Sequence, residues 1–112
     1  MMILTRNAIL NADDRQIERV DVPEWGGHVC VRSMTGADRD EFDALAVNRQ
    51  VRGVRTLVVT RTACDEHGEL LFTDADVEKL LERNAAALHR VFEAGCTISG
   101  IGEDEIEDAE GN

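Results

Sequence analysis

Hydrophobic and polar positions alternate cleanly in one place only, Val20 to Arg32. Val20, Val22, Val29 and Val31 fall on one face of an extended chain. Asp21, Pro23, Trp25, His28, Cys30 and Arg32 fall on the other. Gly26-Gly27 between the runs suits a two-residue hairpin loop, which needs positive φ at both central positions. That loop would set Trp25 opposite His28, Val22 opposite Val31 and Asp21 opposite Arg32, an ion pair across the strands. The hairpin is therefore predicted over about residues 17–33, with its first strand from Ile17 to Val22.

Elsewhere the pattern is helical. Thr5 caps a short predicted helix over Arg6 to Ala12, with Ile9 and Leu10 turned inward. Thr35-Gly36-Ala37-Asp38 has capping-box spacing, and its helix should run to about Asn48, burying Phe42, Leu45 and Ala46. Asp38, Asp40 and Glu41 give its first turn the favourable sign. Val47 to Ala63 is ambiguous, because Val54 to Thr60 is rich in β-branched residues and reads as strand by propensity. Yet Val51, Val54, Leu57 and Val58 share a helical face with Arg49, Arg52 and Arg55 beside it, so the pattern predicts a helix bent near Gly53. Asp65-Glu66-His67-Gly68 reads as a turn with positive φ at Gly68, and Leu70 to Phe72 is too short for more than a bridge or one strand residue pair. Thr73 opens a helix burying Val77, Leu80 and Leu81. Asn84 caps another, Ala85 to about Ser99, burying Leu88, Val91 and Phe92. Gly95 inside that helix costs about 1 kcal/mol relative to Ala, which predicts a close helix contact there.

The expected fold is thus α+β and mainly helical: an N-terminal hairpin against four or five short helices, one domain over residues 1–102. Residues 103–112 hold six acids in ten positions and read as a frayed helix or disordered tail. At 112 residues with 43% hydrophobic content, one core is affordable, and with one Trp, three Phe and no Tyr it must be aliphatic. No apolar run reaches membrane-span length, and the chain reads as cytosolic.

Charge sharpens the picture. The net value is −11, and residues 63–112 carry all of it, with three basic and fourteen acidic residues against nine of each in residues 1–62. General phosphate attraction is excluded as a binding mode. Such a chain could instead mimic nucleic acid, attract a basic partner or simply stay soluble.

No catalytic constellation emerges. His28 and Cys30 share a strand face, but no further ligand pair completes a zinc site; the others would have to be lone residues such as Cys64 or His67. Asp65 to Gly68 fails the calcium-loop spacing. Cys64 and His67 are near in sequence, yet no orienting acid or oxyanion loop accompanies them. Three widely spaced cysteines fit reduced thiols, with no cofactor implied. Trp25 at the hairpin tip and the Arg49, Arg52, Arg55 stripe are the candidate partner-binding residues. The bland account packs Trp25 over a helix and pairs the stripe with neighbouring acids.

In order and spacing the chain resembles the tail assembly chaperones of long-tailed (siphovirus-type) bacteriophages, the small kind encoded just upstream of the tape-measure gene. The resemblance rests on Leu4-Thr5-Arg6-Asn7-Ala8-Ile9-Leu10 with Ala12-Asp13-Asp14, on Val20 to Gly27 and on Val29-Cys30-Val31-Arg32. It continues through Cys64-Asp65-Glu66-His67-Gly68, Leu71 to Val77, Ala85-Ala86-Ala87-Leu88 and Gly100-Ile101-Gly102-Glu103. It implies a non-enzymatic protein of the bacterial host cytoplasm that coats and solubilises the apolar, largely helical tape-measure protein and helps recruit tail-tube subunits. It also allows for a homo-oligomer. Many such genes make a longer product by ribosomal frameshift, and this chain would be the short one. Family folds are mainly helical, so the hairpin is a departure or an elaboration. The competing classes are an acidic DNA mimic or antitoxin-like regulator, whose acids should spread over a folded face, and a head–tail connector, which should show longer strands.

Overall fold

The computed structural model describes residues 1–47 and 53–109. Helices α1 (Arg6–Leu10), α2 (Gly36–Val47), α3 (Val54–Thr62), α4 (Val77–Leu81), α5 (Ala85–Ile98) and α6 (Glu103–Ala109) accompany strands β1 (Ile17–Val22), β2 (Gly27–Arg32) and β3 (Ala63–Cys64). The strands form an antiparallel sheet in the order β1-β2-β3. This is the α+β, mainly helical architecture expected from the alternation and the helical faces.

The hairpin forms, but its register differs from the expected one. Val22 pairs with Gly27, Asp21 with His28, Val20 with Val29 and Ile17 with Arg32. Two local facts move the loop. Only Gly26 of the two glycines has positive φ (74°), so the two-residue turn is not made. Pro23, lacking an N–H, cannot continue the ladder; it opens a 3-10 turn, Pro23–Trp25, closed by the Gly26 N–H on the Pro23 carbonyl at 3.0 Å. The expected Asp21–Arg32 and Trp25–His28 pairings are therefore absent from the register. Because the slip changes each pairing by an even number of residues, the faces are preserved. Val22 and Val31 are wholly buried, and Val20 and Val29 pack at the edge of the same core.

That valine face is covered by α5, which lies against both long strands, and α3 packs on α5. Between these two helices Gly95 lets the backbones approach. A Cβ there would stand 2.6 Å from Thr62 Oγ1 and 3.0 Å from Val58 Cγ1, the close contact its position in the helix suggested.

The ambiguous segment is helical over Val54–Thr62, and its β-branched content has a physical reason. Six of its residues are buried, among them Val54, Val58 and Val59, so nearly the whole circumference meets protein. The three buried threonines turn their hydroxyls back on the helix: Thr56 Oγ1 donates to the Gly53 carbonyl (3.1 Å), Thr60 to Leu57 (2.9 Å) and Thr62 to Val58 (2.7 Å). Gly53, at φ 94°, is its N-cap. Burial wins over propensity here. Val51, Arg49 and Arg52 lie outside the described residues.

Three caps stand where expected. Thr5 accepts from the Ala8 N–H, Thr35 and Asp38 form a reciprocal capping box, and Asn84 accepts from the Ala87 N–H. Three residues expected to be buried are exposed. Ile9 and Leu10 are 58% and 65% exposed, with no residue of α1 buried. Capping is a local interaction and fixes the turn, whereas burial needs a facing surface. Leu81 is half-exposed because Leu80 takes the inward position of the short α4.

Of the acidic end, read as a frayed helix or disordered tail, Glu103–Ala109 forms α6. Ile106 is 7% exposed, and Glu105 meets Arg39 of α2 at 2.8 Å. An Ile106→Ala variant should lose about 2 kcal/mol or more of stability, since deleting a buried branched side chain leaves a cavity. Chemical denaturation would read this as a lower midpoint with an unchanged slope.

Candidate functional site: an apolar groove at the hairpin turn

The 3-10 turn that displaces the hairpin loop also places Trp25. Its ring borders a groove of about 620 Å³ together with Phe72 and Leu80, and Asp76, Lys79, Glu82 and Arg83 form the rim. Trp25 is 38% exposed and Phe72 half-buried, so the floor is apolar and open to solvent. Trp25 lines this groove together with Lys79 and Leu80 of α4.

Three local devices hold the groove. Thr73 and Asp76 form a capping box (Thr73 N–H to Asp76 Oδ2, 2.9 Å) that opens a 3-10 turn, Asp74–Asp76, leading from Phe72 into α4. Arg61, at the end of α3, bridges Asp74 at 3.0 Å, Glu41 at 3.3 Å and Asp38 at 3.5 Å, and so joins α2, α3 and the 3-10 turn that leads into α4. Its guanidinium is held above its ordinary pKa, first by the hydrogen bond to Asp74. On the other side, Arg90 of α5 grips Glu24 through Nε at 2.9 and 3.1 Å, pinning the turn that carries Trp25.

The Glu24 carboxyl lies below its usual range, chiefly through a bond from its own backbone N–H; burial opposes this, and Arg90 lowers it further. A depressed folded pKa means the tie is complete above the ordinary carboxylate value and is lost as pH falls through the folded value. Arg90→Ala should raise the Glu24 pKa only part of the way to normal, because the backbone bond survives. Side-chain carboxyl shifts followed by NMR titration would check this; a complete return to the ordinary value would contradict it.

The other candidates separate. Arg55 is half-buried, its guanidinium 5.7 Å from the Phe92 ring centroid and its Nε without a hydrogen-bond partner. Glu105 of the acidic helix α6 meets Arg39 of α2. Asp65 Oδ1 accepts from the N–H groups of Glu69 (3.0 Å) and His67 (2.8 Å), which makes the predicted turn and lowers its pKa. His67 is exposed beside Glu66, whereas Cys64 is buried, and burial pushes its thiol pKa up. An activated nucleophile needs the opposite shift. Among the described residues, no three His, Cys, Asp or Glu side chains could together hold a metal ion.

Sequence reasoning found Trp25 but not its partners as a group. Phe72 and Leu80 come from a loop and a short helix brought together by capping and by Arg61, which leave no periodic trace. An exposed apolar segment was also missed: Met1, Met2, Ile3, Leu4, Ile9 and Leu10 are all exposed.

No protein-family model matches this chain, and no curated protein matches it. Among solved structures, that of the bacteriophage HK97 tail assembly chaperone is similar, with a TM-score of 0.62 at 17% sequence identity. The alignment covers 87% of this chain and 92% of that one. The two chains share a fold over nearly their full length. Among the described residues no helix is long and apolar enough to cross a membrane.

Proposed function

We propose that this protein is a non-enzymatic tail assembly chaperone of a siphovirus-type phage, which binds apolar helical segments of the tape-measure protein and keeps them soluble. The observation that carries the reading is the fold likeness to the HK97 chaperone over most of both chains. The surface supports it. An open apolar groove and an exposed apolar N-terminal segment together offer what an amphipathic helix would cover.

Charge has the complementary task. With a net −11, the complex would repel its own copies and stay dispersed while the apolar surfaces are occupied. Arg49, Arg52 and Arg55 remain proposed contacts, Arg55 through the face it shares with Phe92. Recruitment of tail-tube subunits and action in the host cytoplasm belong to the same proposal.

Co-expression with the tape-measure gene of the same phage, followed by pull-down at low and high salt, tests it. The expected result is a higher soluble yield of tape-measure protein and a complex that survives high salt, because apolar burial is not screened. No gain in soluble yield would reject the chaperone reading. Binding that vanishes at high salt would reject apolar burial as its mechanism.

A further inference from the structure

Cys30 and Cys64 lie far apart in sequence and reach the same place from different strands. The antiparallel pairing of β2 with β3 makes them direct partners. Residues so opposed project to the same side of a sheet, with Cα atoms about 4.5–5.5 Å apart. That separation falls inside the window a disulfide requires, about 4.4–6.8 Å. Both thiols are free.

The surroundings fix this opposition. After β3 the chain turns through Asp65–Gly68 and returns to bridge Cys64 with Leu70. Arg15 and Arg32 both donate to the Gly68 carbonyl, at 3.2 and 3.0 Å, which holds the turn against the sheet. Ile17 of β1 also lies close to Gly68. Cys64 is buried beneath this turn and Cys30 is half-buried. The Cys64 thiol is pushed up by burial and then by the charge of Cys30, while Arg32 and Arg15 pull the other way.

We propose that Cys30 and Cys64 are an oxidisable dithiol, a covalent modification site that a peroxide or a small-molecule disulfide closes into a cross-strand disulfide. Cys30, the more accessible, reacts first. With hydrogen peroxide its thiolate attacks one oxygen and the O–O bond breaks. The departing hydroxide takes up the proton Cys30 released, giving water and a sulfenic acid. Cys64 sulfur then attacks Cys30 sulfur; the S–S bond forms, the S–O bond breaks, and the hydroxide leaves with the Cys64 proton as a second water. Two thiols lose two hydrogens and two electrons, and the peroxide becomes two waters. With oxidised glutathione, Cys30 forms the mixed disulfide and Cys64 displaces the second glutathione, so two glutathione thiols are released.

The bond would tie the two-residue β3 covalently to β2 and close a loop that contains α2 and α3. Closing a loop of that size should raise Tm by about 10 °C. Because the attacking species are thiolates and the Cys64 pKa is raised, closure should quicken as pH rises above neutral.

The test uses the full chain treated with hydrogen peroxide or oxidised glutathione, then non-reducing intact mass measurement and peptide mapping. The expected result is a loss of two hydrogens and a linked peptide pair holding Cys30 and Cys64, reversed by dithiothreitol. Cys96→Ser should leave the link in place, and Cys64→Ser should leave Cys30 as a sulfenic acid or glutathione adduct. The map of the unsubstituted protein decides the matter even where a variant folds poorly. Cys30 recovered there only as an adduct or higher oxide, or linked between two chains, overturns the proposal.

Discussion

Gly95→Val should destabilise the protein by about 3 kcal/mol and lower its Tm by roughly 10 °C. Two effects oppose each other at this position, and the magnitudes decide between them. A side chain in place of glycine relieves backbone entropy in a helix interior, worth about 1 kcal/mol for alanine and less for valine. Against this, even the first carbon would lie 2.6 Å from Thr62 Oγ1 and 3.0 Å from Val58 Cγ1. Thr62 cannot swing aside freely, because its hydroxyl is held to the Val58 carbonyl at 2.7 Å. Gly95→Ala should therefore be destabilising by about 1 kcal/mol despite its better propensity, and valine, with two further methyl groups, by several times as much. Thermal unfolding followed by circular dichroism reads both. Thr62→Ala removes the closest atom, so Gly95→Ala with Thr62→Ala should be more stable than the sum of the single effects, by about 1 kcal/mol. Strict additivity would mean that α3 and α5 simply move apart.

Gly95 also marks how far the sequence is legible. A glycine inside an otherwise good helix states that something comes close, and the neighbour proves to be α3. The same reasoning gives α3 itself, because the Val54 and Val58 face is periodic enough to outweigh β-branched propensity. Caps were readable for a similar reason: Thr5, Thr35 with Asp38, and Asn84 act within three residues of themselves. What could not be read depends on partners distant in sequence. The hairpin register turned on whether Gly27 or Pro23 would dictate the loop, and Pro23 prevailed because a missing N–H cannot be supplied. The inward turn assigned to Ile9 and Leu10 lacked a facing surface. β3 is two residues long, too short for any alternation, so nothing in the sequence announced that Cys64 would stand opposite Cys30. The groove was legible at one residue, Trp25, whose prominence at a turn needs no knowledge of the rest. Its apolar floor required α4, and α4 is placed by Arg61 and by the Thr73–Asp76 box.

Trp25→Ala should weaken binding of an apolar helical segment by about 30-fold or more while costing little folding stability. The asymmetry follows from where the ring sits. It is 38% exposed at the lip of the groove, so the free protein already leaves part of it in water. The turn beneath it keeps its own supports, the Gly26–Pro23 bond and the Glu24–Arg90 pair, neither of which uses the indole. Truncation should then cost the folded chain about 1 kcal/mol through lost partial burial. In a complex the same ring would be fully covered between Phe72 and the incoming helix, and loss of such an aromatic anchor commonly costs about 2 kcal/mol or more. Trp25→Phe should retain most of the affinity, because the groove asks for apolar area and not for the indole N–H. Asp76, Lys79, Glu82 and Arg83 supply both signs of charge to the rim, so substitutions there should alter salt dependence more than affinity. Fluorescence anisotropy with a labelled helical peptide from the tape-measure protein, paired with thermal unfolding of each variant, separates the two effects. A Trp25→Ala protein that binds as tightly as the parent would move the contact away from this groove and onto the exposed N-terminal segment, where Leu4, Ile9 and Leu10 are the next residues to replace.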